Sequence, residues 1–243
     1  PILLGGVSAP YENVGKMLNR GIELNLNYDN NITNKDRLGF NVGVNMAYIH
    51  NEVTKFRGGN SPDQLYLIRE GHSYQTLYGY KAVGIYQTDE EAASHMHSNS
   101  YKPKAGNLKF EDANNDGKLG FEDKQDLGNT IPKLTYGITA ALRYKNFDLS
   151  LLLQGTGMAH IYTQNDITRL SYEYQTLSTK WRDAWTPDNN KSKVPALRFD
   201  NNWDNSQSSY WVHRSDFLKL KNIQLGYVIP ESLTSRIKMD KVY

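Results

Sequence analysis

The chain has 243 residues, enough for a sizeable core, and its 28 Lys and Arg against 26 Asp and Glu leave a net charge of +2, without the basic footprint that nucleic-acid binding demands. No cysteine occurs, which excludes disulfide frameworks, thiolate metal sites and cysteine nucleophiles together. No stretch approaches the roughly 20 apolar residues of a membrane helix, but a mean hydropathy of -0.67 does not exclude a membrane β-barrel, whose strands need only about 9–11 residues and alternate faces.

The first residues, "PILLGGVSAPYENVG", lack a basic start and an apolar run of signal-peptide length, so they read as an internal cut in a longer chain. From Gly21, "GIELNLNYDN" sets Ile22, Leu24, Leu26 and Tyr28 against Glu23, Asn25 and Asn27, the period of two that makes a strand with one apolar face. After the polar "NNITNKDR", Phe40, Val42, Val44, Met46 and Tyr48 repeat the pattern, which predicts a hairpin. Next comes a long connection, roughly Thr54 to Pro132, in which "TDEEAASHMH" opens on Thr88, a helix N-cap candidate.

A second hairpin is predicted around Lys145 and Asn146, with Leu134, Tyr136, Ile138, Leu142 and Tyr144 before the turn and Phe147, Leu149, Leu151 and Leu153 after it. A second long connection, roughly Thr156 to Asp216, spaces Leu177, Trp181 and Trp185 at helical i, i+4, i+8. In the last strand Leu218 and Leu220 share one parity and Ile223, Leu225, Tyr227 and Ile229 the other, which places a β-bulge near Lys221 and Asn222.

Short connections (Asp29 to Asp36, Lys145 to Asn146) and long ones thus alternate strictly. A soluble sandwich with one wet face and an outer-membrane barrel both fit the alternation of side chains. Two connections of such length favour the barrel, with its short turns on one side and long loops outside. Tyr28, Tyr48, Tyr136 and Tyr144 then suit an interfacial aromatic girdle.

"NVGKMLNRGIEL", "GYKAVGIYQTDEE", "KAGNLKFEDANNDGKLGFEDKQDLG", "PKLTYGITAALRYKNFDLSLLLQG" and "LKLKNIQLGYVIP" resemble, in this order, the C-terminal barrel region of SusC/RagA-type TonB-dependent transporters, and the resemblance covers nearly the whole chain. It implies an all-β fold: an antiparallel meander that forms part of a large transmembrane β-barrel of about 22 strands with a plugged lumen, with long extracellular loops carrying short helices. Residues 1–243 would be the C-terminal part of that barrel, the plug domain, early strands and final strands lying elsewhere. The resemblance further implies a place in the bacterial outer membrane and import of oligosaccharides or peptides. Its implied partners are a SusD-like surface lipoprotein, TonB acting through an N-terminal region, and outer-membrane lipid. One departure is that the family often carries "PGD" where this chain has "KAGN", with Ala105 and Asn107.

"DANNDGKLGFED", Asp112 to Asp123, has the ligand spacing of an EF-hand loop: Asp112, Asn114, Asp116, the carbonyl of Lys118 and Asp123, with Gly117 at the turn. Ca2+ is the expected ion and its role structural, because "KPKAGNLKFE" upstream reads as extended rather than as an entering helix. A metal-free Asx-and-glycine turn fits the same residues. Trp203, Trp211, Tyr172, Tyr174 and Tyr210 are candidates for contact with a glycan or a lid protein, against the alternative that they form the loop's own core. His95 and His97, two apart, are a weaker metal pair. No catalytic constellation and no nucleotide loop occurs, so the chain is not read as an enzyme. The reading from another class is a secreted soluble β-protein that binds carbohydrate through a calcium-stabilised loop.

Overall fold

A computed structural model of the chain describes residues 13–30, 32, 34–59, 64–98, 101–163, 178–198, 203–230 and 234. The first hairpin comprises β1 (Gly15–Asp29) and β2 (Gly39–Phe56). Short elements follow: β3 (Tyr66–Leu67), β4 (Thr76–Tyr80), β5 (Ala82–Ile85), helix α1 (Asp89–Ser94), β6 (Leu108–Phe110) and β7 (Lys124–Asn129). The second hairpin is β8 (Leu134–Tyr144) and β9 (Phe147–Gly157); β10 (His160–Tyr162), β11 (Val212–Arg214) and β12 (Phe217–Tyr227) complete the order.

The five long strands form one antiparallel sheet in the order β1-β2-β8-β9-β12. Because side chains alternate with period two, register decides which residues share a face. Leu26, Val44, Ile138, Leu153 and Leu220 lie in one row across all five strands. Asn25, Asn45, Gly137, Gln154 and Lys219 form the neighbouring row on the opposite face. The bulge falls between Leu220 and Asn222, where it returns Ile223, Leu225 and Tyr227 to the apolar face beside Leu151, Leu149 and Phe147.

Among the described residues nothing is packed on that apolar face. Ile22 is 75% exposed, Leu225 71% and Ile223 62%, and of the buried apolar residues only Val53 belongs to the sheet. A sandwich would bury these rows against a second sheet about 10 Å away. None is there among the described residues, and a sheet with one exposed apolar face and one polar face has the form of a barrel wall. Aromatic rings edge the apolar rows at the short-turn end: Tyr28 meets Phe40 with centroids 5.7 Å apart, and Phe147 meets Tyr227 at 4.6 Å. From that edge to Tyr136 the strand runs about 27 Å, which at barrel tilt matches an apolar band roughly 25 Å tall.

The core lies elsewhere, in the two long connections at the other end of the sheet. Met96, Leu108, Phe110 and Trp203 pack together there, with Tyr80, Ala82, Ile85, Tyr101, Leu119 and Tyr210 around them. Thr88 caps α1 as its sequence predicts, its hydroxyl accepting the backbone N–H of Glu91 at 3.1 Å while the Glu91 carboxylate accepts that of Gln87 at 2.8 Å. The helix predicted around Trp181 and Trp185 is corrected. Thr179–Asp183 is a 3-10 turn, and Trp185 is extended, its N–H bonded to the carbonyl of Val194 at 2.9 Å. Pro187 bars Thr186 from helical geometry, so the turn cannot propagate.

Candidate functional site

The two long connections are fastened to each other through the "KAGN" turn. Gly106 takes φ +86°, and a Cβ there would lie 2.6 Å from both the Trp185 ring and the Ala196 side chain. Only glycine allows that approach. The next residue, Asn107, is fully buried and donates its side-chain amide to Asp204 at 2.9 Å, while its oxygen accepts from Arg198 at 2.9 Å and from the N–H of Lys104 at 2.8 Å. Asp204 also accepts the N–H of Leu108 at 2.6 Å. Asp204 would be costly to bury without partners, and these donors satisfy it. Asn107, Arg198 and Asp204 are the organising residues that sequence reasoning missed. The departure at Asn107 was the visible signal, but its partners lie on the far connection and leave no local pattern.

The aromatic candidates are placed as follows. Trp203 is 2% and Trp211 1% exposed, which corrects their assignment to ligand contact: both rings are core. Trp203 stacks on Tyr101 at 5.8 Å and donates its indole N–H to the carbonyl of Leu108 at 2.7 Å. Trp211 donates to the carbonyl of Asp204 at 3.0 Å. Tyr210 stands edge-on to Trp211 at 4.7 Å and is partly accessible; burial pushes its hydroxyl up to about 12. The Lys180 ammonium lies 4.8 Å from the Tyr210 ring, and desolvation lowers its pKa. Tyr172 and Tyr174 lie outside the described residues.

In the acidic loop, Asp112 accepts the N–H groups of Asp116 at 3.2 Å and Gly117 at 2.9 Å, and Asn114 accepts that of Asp116 at 3.0 Å. Asp116 accepts from the N–H of Lys118 at 2.8 Å. Asp123 is fully buried and closes the loop, its two oxygens accepting from Ala113 at 2.9 Å and Gly120 at 2.8 Å. Asn115 and Gly117 take left-handed φ values of 59° and 73°. Upstream stands β6 and downstream a short 3-10 turn (Phe121–Asp123) followed by β7, so no helix pair flanks the loop. The ring of His95 is hydrogen-bonded to the Tyr86 hydroxyl at 2.8 Å. Among the described residues no group of three or more His, Cys, Asp or Glu is gathered as a metal site.

No protein-family model matches the chain. Among curated proteins, TonB-dependent receptor P3 of Formosa agariphila is 27% identical over 98% of this chain. TonB-dependent receptor SusC of Bacteroides thetaiotaomicron is 27% identical over 89%. A solved structure described as that of the RagAB peptide transporter superposes on 94% of this chain with a TM-score of 0.68 at 20% identity. The chain is thus similar in sequence to TonB-dependent receptors, SusC among them, and similar in fold to the RagAB transporter. It spans 24% of the length of receptor P3 and 21% of that of SusC. The five-stranded sheet has the form of a sector of a β-barrel wall, with β1 and β12 at its edges among the described residues. No described helix is long and apolar enough to cross a membrane. The "KAGN" turn and the acidic loop lie in the long connections, at the end of the sheet opposite the short turns.

Proposed function

We propose that this chain is the C-terminal barrel portion of an outer-membrane receptor that imports oligosaccharides or peptides, driven by TonB and working with a SusD-like lipoprotein. The observation that carries the proposal is the two-faced sheet. One face offers continuous rows of exposed Leu, Ile, Val and Tyr to lipid; the other offers Asn, Gln, Thr and Gly to a lumen. The long connections meet in one packed unit at one end, a platform on which a lid could rest. The likeness to SusC and to the RagAB peptide transporter supports the transport class. A non-enzymatic role is part of the proposal, in keeping with the TonB-dependent receptors the chain resembles.

Calcium in the Asp112 to Asp123 loop belongs to the same proposal, with a structural role. The residues fit: Asp112 and Asn114 converge on one backbone N–H, and carboxylate oxygens that accept one hydrogen bond keep a lone pair for a hard cation. A bound ion would neutralise Asp112 and Asp116 and pin the outward-facing loop.

The test is uptake by cells that depend on the whole receptor for growth on a defined glycan or peptide. Removing TonB should abolish uptake; growth unchanged without TonB would overturn the reading.

A further inference from the structure

At the short-turn end, the two turns lie against each other: the N–H of Lys145 donates to the carbonyl of Lys35 at 2.8 Å. Together they border a cavity of about 750 Å³ lined by Lys35, Arg37, Arg143 and Lys145, with Asp148 as the single carboxylate among the described residues of its wall. Asp36 lies between two of these cations in sequence but outside the lining. All four cations are exposed, and none has an ion pair among the described residues. Tyr144 and Phe147, the last aromatic rings of the apolar face, line the same cavity, and the Lys145 ammonium lies 5.3 Å from the Tyr144 ring.

The cluster therefore stands one step beyond an aromatic edge, at the depth where a bilayer changes from hydrocarbon to headgroups. A cavity that is cationic on one side and aromatic and aliphatic on the other, through Leu142 and Leu149, matches an anion attached to an acyl chain. We propose that it seats the headgroup of an anionic phospholipid from the leaflet that faces the short turns. The proposal rests on the barrel reading above. Phosphate oxygens would be shared between the Arg37 guanidinium and the ammonium groups of Lys35 and Lys145, all on the turns, and the acyl chain would follow the apolar rows. An acidic protein segment would satisfy the charges but would gain nothing from the adjoining lipid-type wall.

The experiment is native mass spectrometry of the whole receptor in detergent, titrated with phosphatidylglycerol or with phosphatidylcholine of the same chains. The wild type is expected to prefer phosphatidylglycerol. Each cation near the surface contributes about fivefold, so Arg37→Gln with Lys145→Gln should weaken phosphatidylglycerol binding about 25-fold and leave phosphatidylcholine unchanged. Lys191→Gln with Lys193→Gln, which removes the same charge from the outward-facing loops, should have no effect. If the first pair fails to give heat-modifiable barrel, Lys35→Gln with Lys145→Gln supplies the same readout. Equal binding of the two lipids, equal loss in the loop variant, or displacement by millimolar inorganic phosphate would overturn the lipid site. A receptor that stays monodisperse without detergent would instead overturn the barrel reading.

Discussion

Asn107 donates its side-chain amide to the carboxylate of Asp204 across 2.9 Å, and both side chains are buried. Through this bond two connections from opposite sides of the second hairpin become one outward-facing unit. It also accounts for asparagine at position 107, since an aspartate there would set two carboxylates against each other in a dry site.

Asn107→Asp should therefore destabilise the loop unit by about 3 kcal/mol at neutral pH, because a like charge replaces a donor beside Asp204. Amide exchange at Leu108, whose N–H bonds Asp204, should accelerate on the order of 100-fold at that cost. A shared proton would relieve the repulsion, so the defect should shrink as pH falls toward 5. Exchange unchanged at neutral pH would remove Asn107 from its organising role.

Acid should loosen the region around α1 in two stages. Burial, followed by the charge of Lys109, holds the His95 pKa below its ordinary 6.5, against the opposing pull of Asp112 and Glu91. The unfolded chain then binds a proton before the folded one does, so stability falls as pH drops from about 6.5 toward the lowered value. Glu91, held below its ordinary 4.5 by the Gln87 N–H first and by Lys109 second, adds stability that is present above that value and lost as pH falls through the lowered one. Exchange of the α1 amides from pH 7 to pH 4 should show both stages, and His95→Gln should abolish the first alone. A region most stable at pH 5 would contradict this.

Calcium should raise the thermal midpoint of the loop unit, and Asp112→Asn with Asp116→Asn should abolish that rise. In the variant, the amides can still accept from Gly117 and Lys118, so the metal-free turn should survive and the midpoint without calcium should change by only about 0.5–1 kcal/mol in stability terms. Identical calcium responses in the two proteins would remove the metal from the proposal.

The sheet was legible in the sequence because its strands are two-faced: each apolar parity from Ile22 to Tyr28, Phe40 to Tyr48 and Leu134 to Tyr144 reappears as one surface, and the parity switch near Lys221 and Asn222 is the observed bulge. The start of β1 was missed because Met17 and Leu18 break the alternation where another bulge, at Lys16 and Met17, interrupts the ladder. The strands of the long connections were missed for a different reason. They are two to six residues long and pair with distant segments, as Thr76 does with Asn129, so no local period announces them. Trp203 and Trp211 read as binding aromatics because a sequence shows ring content and not burial. The acidic loop was legible as a turn, down to Gly117 at its positive φ.

The central claim is that the apolar face of the five-stranded sheet meets lipid and the other face does not. Ile223 and Gln224 are neighbours on β12 and project to opposite faces, Ile223 beside Leu151 in the middle row of the apolar band and Gln224 beside Ser150. In the whole receptor refolded into bilayers, Ile223→Arg should cost about 2–4 kcal/mol of folding stability, the range for a cation at the lipid midplane, whereas Gln224→Arg should cost no more than about 0.5 kcal/mol. Equal costs for the two, or a larger one for Gln224→Arg, would contradict the account.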